Sequence, residues 1–249
     1  MDLGLKGKNA IVTGGSMGIG TAVALGLAAE GCNVAINYRS HDSEANEVVR
    51  QIEALGCRGL AVKADVSDFK DAHNMVDTVR SEFGGLDILV CNAGINWDGV
   101  MWKMSEEQWD KVINVNLKGY FNYNRAAAEV FVQQKGGKIV NISSINGIRG
   151  KFGQTNYAAS KGGEIAMSKS LARELGKFNV NVNVVAPGMV MTEMARKIPP
   201  EFLNKAVDET VLGRISTPED CANVIVFLCS DRSRHITGEV IKVDGGQYI

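Results

Sequence analysis

Short apolar runs alternate with longer amphipathic stretches along the whole chain. Seven runs, at 9–13, 33–38, 59–64, 87–91, 137–143, 180–186 and 239–243, are mostly rich in Val and Ile and have the length of strands. Between them the apolar positions recur at helical spacing. Ala45, Val48, Val49, Ile52 and Leu55 share one face and stop at Gly56, and Ala72, Met75, Val76, Val79 and Phe83 do the same before Gly84 and Gly85. These stripes read as core faces, not cofactor boxes. The alternation predicts an α/β fold: a single-domain, Rossmann-type, doubly wound parallel sheet flanked by helices on both faces, with any ligand beyond the carboxyl ends of the strands. No linker or low-complexity break divides it, so residues 1–249 are expected to form one domain.

Composition narrows the function classes. The chain has 27 Lys and Arg against 28 Asp and Glu, a formal net charge of -1, and no basic block, which makes nucleic acid and membrane surfaces poor partners. MDLGLKGKNAIV carries no targeting pattern, and no window approaches the ~18 apolar residues of a spanning helix, so a cytoplasmic location is expected. The cysteines, Cys32, Cys57, Cys91, Cys221 and Cys229, are scattered through mostly apolar segments and read as reduced, buried thiols. His41, His73 and His235 lie at no ligand spacing from a cysteine or carboxylate, so neither a metal site nor a Ser-His-Asp triad is expected.

Two local patterns carry chemistry. Thr13–Gly20, TGGSMGIG, follows a strand and opens a helix. In such a turn Gly14 permits the tight bend, Gly18 a close backbone approach to phosphates and Gly20 close packing, while the helix start offers free N–H groups. Its spacing, Gly14-x-x-x-Gly18-x-Gly20, departs from the usual dinucleotide fingerprint, and a bare structural turn is the alternative. The second pattern is Tyr157 and Lys161, four residues apart, with Ser143-Ser144 upstream at the end of a strand-like run. On a helix such a pair shares a face with Cβ atoms about 5–6 Å apart, and a neighbouring cation favours phenolate, which predicts an activated proton donor at a carbonyl reduction site.

Together the ordered motifs resemble those of the short-chain dehydrogenases/reductases, essentially from residue 5 onward. They are the glycine loop, Asp65-Val66, Asn92-Ala93-Gly94, Asn114-Val115-Asn116, Ser144 with Tyr157-x-x-x-Lys161, and Pro187-Gly188 with Thr192. The resemblance implies a nicotinamide cofactor held mainly by residues up to about 140, with catalytic and substrate residues in 141–249. It makes Tyr157 the acid/base, Lys161 its partner and a ligand of the nicotinamide ribose, and Ser144 the donor to the substrate oxygen. Asn116 becomes the helix-distorting residue that holds a relay water, while Ser143 and Asn114 keep packing or turn roles. Cofactor contacts are implied for Gly14, Ser16, Met17, Gly18, Ile19 and Gly20, for Asp65 and Val66 at the adenine, for Asn92, Ala93 and Gly94, and for Pro187, Gly188, Val190 and Thr192. Asp65 is also explicable as a helix cap, since Ser67 and Asp68 follow.

The end of the second strand reads Asn37-Tyr38-Arg39-Ser40, without the acidic residue that would bond a ribose 2′-hydroxyl. Arg39 and Ser40, beside Tyr38, suit a 2′-phosphate, which predicts NADP(H) as the preferred cofactor. Met17 occupies the loop position where NADP(H)-using relatives often carry a second basic residue, so NAD(H) stays possible. The segments KIVNISSINGIRGKFGQTNYAASK and GEVIKVDGGQYI resemble those of 3-oxoacyl-acyl-carrier-protein and acetoacetyl-CoA reductases. That resemblance implies reduction of a 3-oxoacyl thioester carried on acyl-carrier protein or CoA, with Ser144, Gln154, Tyr157 and Met189 near the substrate. It also implies a lid over 189–215 that includes Met189, Met191, Met194, Phe202 and Leu203, although plain packing explains these side chains equally, and Trp97 and Trp102, which precede the Asn116 helix, are placed to wall the entry. Lys135 and Lys177 could meet a phosphopantetheine-bearing partner or a CoA phosphate, although a solvated charge explains each. A secondary-alcohol or sugar dehydrogenase would share every motif, and a non-catalytic dinucleotide sensor could use the same fold. Relatives form homotetramers through the helix that holds Tyr157 and the C-terminal strand; Gly162, Gly163 and Ala166 on that helix are small, though an internal contact explains them equally.

Overall fold

The computed structural model describes residues 2–193, 195 and 199–249. Seven parallel strands form one sheet: β1 (Asn9–Val12), β2 (Asn33–Tyr38), β3 (Gly59–Lys63), β4 (Ile88–Cys91), β5 (Gly137–Ile142), β6 (Val180–Pro187) and β7 (Val240–Val243), in the order β3-β2-β1-β4-β5-β6-β7. The seven apolar runs of the sequence are these strands, to within a residue or two at each end. The helices are α1 (Gly18–Ala29), α2 (Asp42–Ala54), α3 (Phe69–Phe83), α4 (Glu106–Ile113), α5 (Gly119–Gln134), α6 (Asn146–Arg149), α7 (Thr155–Leu175), α8 (Pro200–Asp208) and α9 (Pro218–Cys229).

Side chains of a strand alternate between faces, so each strand feeds two cores. Ala10 and Val12, Val34 and Ile36, and Ile88 and Val90 pack with Val23, Leu27, Ile52 and Ile225 of α1, α2 and α9. Ile11, Ala35 and Leu89 pack on the other face with Met75, Val79, Tyr123 and Phe131 of α3 and α5. Both faces are covered, which is why the strands read as nearly continuous apolar runs. Each fully buried Ile, Leu or Val contributes about 1.5–3 kcal/mol, so two contiguous cores hold the strand ends at fixed spacing. The strand order reverses between β1 and β4, and the loops after β1–β6 all leave the same edge. Five buried or half-buried cysteines are free thiols, and burial pushes Cys32 and Cys221 up to about 12.

Candidate active site

The glycine loop takes its shape from neighbouring strands. Gly14 has φ 62° and Gly18 φ 59°, conformations that glycine adopts without strain. A Cβ at Gly20 would lie 2.2 Å from the Gly14 carbonyl oxygen, and one at Gly15 would lie 2.5 Å from Ile36 Cγ2. The loop is therefore held against both β2 and itself. Asn92, expected from the sequence, and two side chains that sequence reasoning passed over, Thr13 and Asn37, fix it there. Asn92 Nδ2 donates to the Thr13 and Gly14 carbonyls at 2.9 and 3.0 Å, and Thr13 Oγ1 accepts from the Asn92 and Ala93 amides at 2.9 and 3.1 Å. Asn37, buried at the end of β2, accepts from the Gly14 amide at 3.3 Å and donates to the Ala64 carbonyl at 2.7 Å. Thr13 and Asn37 join three strand ends into one rim. A polar residue inside an apolar strand was the available signal for Asn37.

The helix start behind this loop is open. Asp68, Ser105 and Thr217 cap α3, α4 and α9 with their side chains, whereas Met17 at the start of α1 has no capping side chain and the first turn has no acidic residue. Ser16 and Ile19 are half-buried and Met17 is exposed beside it. Across the gap, Thr192 Cγ2 lies 3.3 Å from where a Gly18 Cβ would stand. Gly188 is fixed by its N–H, which donates to the Val243 carbonyl at 3.1 Å, and the Met189 amide donates to Gln247 Oε1 at 3.0 Å. Pro187 and Val190 are buried at this edge. Beyond β2, Arg39 and Ser40 are exposed and Tyr38 is half-buried. Asp42, the nearest acid, is occupied by Lys63 Nζ at 3.0 and 3.1 Å and by the Tyr38 hydroxyl at 3.2 Å, and the Lys63 bonds hold its carboxyl below the usual range. After β3, Asp65 Oδ1 accepts from the Ser67 amide and hydroxyl at 2.9 and 2.7 Å, so it braces its own turn. Burial opposes ionisation of Asp65, but those bonds, Arg39 and Lys111 together lower its pKa.

On the other side of β4, the helix carrying Asn116 is interrupted by a π turn, Asn114–Lys118, between α4 and α5. Asn116 is fully buried. Its Oδ1 accepts from the Ile95 amide at 2.8 Å, and its Nδ2 donates to the Ile95 carbonyl at 2.9 Å and Ser160 Oγ at 3.0 Å. The side chain thus clamps the segment after Gly94. Ser143 donates to the Lys161 carbonyl at 2.8 Å, a packing contact, while the Ser144 hydroxyl accepts from the Asn146 amide at 3.1 Å and lies close enough to the Tyr157 phenol to influence its ionisation. Tyr157 sits near the start of α7, anchored by Asn156. That buried amide accepts from the Tyr157 N–H at 2.8 Å and donates to the Trp97 and Gln108 carbonyls at 3.0 and 3.1 Å.

Lys161 is buried one helical turn beyond Tyr157. Its Nζ donates to Glu164 Oε1 and Oε2 at 2.9 and 3.2 Å, to the Ile142 carbonyl at 2.9 Å and to the Tyr120 hydroxyl at 3.5 Å. These acceptors take all three donors of an ammonium. The surroundings of Tyr157 act against the expected fall of its pKa. Burial pushes the phenol up, Lys161 and Ser144 oppose, Glu164 and Asp98 add to the rise, and the net direction is upward. Tyr157 is therefore a neutral phenol at neutral pH, a proton donor in form.

The substrate side holds further differences. Gln154 is buried with both ends of its amide engaged, donating to Asp98 at 3.1 and 3.2 Å and accepting from Asn146 Nδ2 at 3.0 Å. It braces two loops against each other. Lys135 and Lys177 are exposed, but they immediately precede β5 and β6 and so stand at the amino edge of the sheet, away from this chain's own site. Gly162 and Gly163 face internal neighbours, the Gly147 carbonyl and Leu117, which accounts for their size within one chain. Within the expected lid, 189–215, α8 exposes Phe202, and Met194 lies outside the described residues. Trp97, Met101, Trp102 and Phe152 are exposed apolar side chains on neighbouring loops, joined where the Gly99 amide donates to the Gly153 carbonyl at 2.8 Å. Among the described residues, no group of three His, Cys, Asp or Glu could hold a metal, and no helix is long and apolar enough to cross a membrane.

The same arrangement is found in known proteins. A family model described as enoyl-(acyl carrier protein) reductase matches residues 14–247. A solved structure, a putative short-chain alcohol dehydrogenase from Sinorhizobium meliloti, superposes with a TM-score of 0.95 at 34% identity, over 99% of this chain and 98% of that one. The chain belongs to the short-chain dehydrogenase/reductase family. Among the relatives of this short-chain dehydrogenase/reductase, a 3-oxoacyl-(acyl-carrier-protein) reductase FabG from Staphylococcus aureus is 43% identical over 97% of this chain and 98% of its own. One of the same name from Thermotoga maritima is 43% identical over 98% and 99%. The chain is thus an oxidoreductase of a family that uses nicotinamide dinucleotides. Its residues fit that cofactor, since the glycine loop leads into a start of α1 that has no capping side chain and no acidic residue in its first turn, as a phosphate requires.

One position in this family member is exposed to a simple test. A Cβ at Gly147 of α6 would lie 2.6 Å from the Lys161 carbonyl carbon and 2.8 Å from the Gly162 nitrogen, both backbone atoms of α7. Gly147→Ala must push α7 aside. Overpacking of this kind costs about 1–3 kcal/mol, and a displacement near 1 Å at reacting groups costs about 10²-fold in rate. Thermal unfolding and kcat should both fall; an unchanged kcat would show that α7 is positioned independently of α6.

Proposed function

We propose that the protein reduces a 3-oxoacyl thioester, carried on acyl-carrier protein or CoA, to the 3-hydroxyacyl product with NADPH. The observation that carries this reading is the meeting of Ser144, Tyr157 and Lys161 beside the glycine cradle, in a chain 43% identical over nearly its whole length to proteins named for that reaction. When bound, the reduced nicotinamide supplies the hydride that the carbonyl carbon accepts. Tyr157 donates its phenolic proton to the carbonyl oxygen as the C–O bond order falls, and the new hydroxyl keeps that proton. Ser144 holds the same oxygen by a second hydrogen bond, which strengthens as negative charge develops. Lys161 stabilises the phenolate left on Tyr157 until a proton returns from solvent, with the Asn116 turn as the route of access. Exposed Trp97, Met101, Trp102 and Phe152 suit an acyl chain at the mouth. Val66, whose amide donates to no acceptor among the described residues, and Asp65, with one oxygen engaged, suit the adenine end. A cytoplasmic homotetramer belongs to this reading, with Ala166 exposed on α7, the helix that would pair together with β7.

Purified protein mixed with acetoacetyl-CoA should oxidise NADPH rapidly and NADH slowly. Because the matching family model is described by an enoyl reductase, crotonyl-CoA is the informative comparison, and faster turnover with it would replace the 3-oxo reading. Turnover only with secondary alcohols or sugars would favour the dehydrogenase alternative, and cofactor binding without any turnover would favour a sensor. Cofactor choice has its own test. Arg39 is exposed at the end of β2 while Asp42 is neutralised by Lys63. A charge-assisted bond to a 2′-phosphate contributes about 1.5–3 kcal/mol. Arg39→Ala should therefore raise the Kd for NADPH about 10- to 100-fold and leave that for NADH nearly unchanged. An equal effect on both cofactors would remove Arg39 from the phosphate site.

A further inference from the structure

Under the proposed proton donor lies an acid that the reaction as written does not use. Glu164 projects from α7 one turn beyond Lys161 and is 0% exposed. Its carboxylate meets the 4%-exposed Lys161 side chain at 2.9 Å, an ion pair shut away from solvent. No sequence signal called for a carboxylate here, since the surrounding stripe is small and apolar. Burying an ion pair costs several kcal/mol per charge before attraction offsets it, and such a pair is weak evidence for stability. Its placement makes sense through Lys161, whose charge is the one that would otherwise pull a proton off Tyr157. The ammonium lies 5.8 Å from the centroid of the Tyr157 ring.

We propose that Glu164 is a positioning residue whose carboxylate, paired with Lys161, offsets the ammonium and keeps Tyr157 a protonated phenol, the form that carbonyl reduction requires. The inference rests on Tyr157 being the proton donor. The groups facing the Glu164 carboxylate are Lys161 on its own helix, Tyr120 from α5 and Cys91 from the end of β4; burial raises the latter two well above their ordinary ranges, so neither ionises first. Tyr157 faces Lys161, Glu164, Ser144 and Asp98. Burial pushes Glu164 up to about 8, with Lys161 pulling the other way. Glu164 therefore loses its proton before the phenol does, and the negative charge arrives where Tyr157 would otherwise begin to ionise. The same carboxylate draws the lysine head inward, toward the Ile142 carbonyl, and sets the distance from which its charge acts on the ring.

The test is the pH dependence of turnover in both directions for wild type and Glu164→Gln. Reduction needs the phenol and falls above its pKa, whereas alcohol oxidation needs the phenolate and falls below it. Loss of the carboxylate leaves Lys161 unopposed, so both limbs should move to lower pH by about one to two units. Above the shifted limb, the variant's kcat/KM for reduction should drop about tenfold per unit relative to wild type. A purely structural role would lower thermal stability or scale all rates without moving either limb. Limbs that stay in place, or move upward, overturn the proposal. Should Glu164→Gln not fold, Glu164→Asp, which draws the charge back by one methylene, must move the limbs the same way by less, and an unmoved limb there overturns it too. Tyr157→Phe separates the two levels. If that variant is inactive while the limbs of Glu164→Gln stay put, only the role of Glu164 fails; if it remains active, the reading of Tyr157 fails.

Discussion

Tyr157→Phe is expected to cut kcat for reduction of a 3-oxoacyl thioester by about 10²- to 10⁴-fold, the usual contribution of a positioned acid. Cofactor affinity should stay close to wild type, because the glycine cradle is built by Gly14, Gly20 and Asn92 and not by the phenol. The fold should survive as well. Asn156 anchors the backbone of residue 157, not its phenol, so the start of α7 keeps its bonds to Trp97 and Gln108. Stopped-flow reduction and fluorescence titration of NADPH on the same preparation read the two quantities. A variant that keeps its rate sinks the mechanism, and one that loses cofactor binding in proportion to rate shows that the phenol is a binding group.

The second large effect falls on the cradle. Gly20→Ala places a methyl 2.2 Å from the Gly14 carbonyl oxygen and 2.6 Å from Asn92 Nδ2, with backbone on one side and a doubly bonded amide on the other. Neither can give way cheaply. The strain, about 1–3 kcal/mol, opens the turn and removes the site that dinucleotide needs, so its Kd should rise about 10- to 100-fold with a lower melting temperature. Added NADPH should stabilise the variant much less than wild type. Wild-type affinity in Gly20→Ala would mean that the turn relaxes without cost. Alanine at Gly56, where a Cβ meets nothing within 4 Å, is the comparison; its φ of 83° gives backbone strain far from the cradle, so affinity should hold.

How far the sequence can be read depends on range. The seven strands were legible because period and composition are local, and their alternation with helices implies the parallel sheet. The glycine loop, Tyr157 and Lys161 stand out because their spacing is short. What escaped is defined by partners brought together only by the fold: Asn37 reaches the glycine loop, Asn156 the Trp97 carbonyl, and Gly147 the backbone beneath Lys161. The direction of the Tyr157 pKa was hidden for the same reason. The four-residue spacing to Lys161 was visible, but a spacing gives no burial, and it does not show that Glu164 binds the lysine first. The position of Gln154 between Ser144 and Tyr157 suggests a substrate contact, yet its amide is taken up by Asp98 and Asn146, partners that sequence order does not show.

The joining of Thr13 to Asn92 across 79 residues bears on how the protein comes into being. β1 is made early but sits in mid-sheet, and the glycine loop cannot close until β4 has been synthesised and has paired beside it. Bringing such distant segments together precedes any reward from their contacts, which makes long-range parallel pairing slow. A growing chain that has reached β3 already holds every glycine of the cradle yet lacks the amide that shapes it. Dinucleotide can therefore recognise only chains extended past that point, and would act on the finished domain rather than guide its assembly.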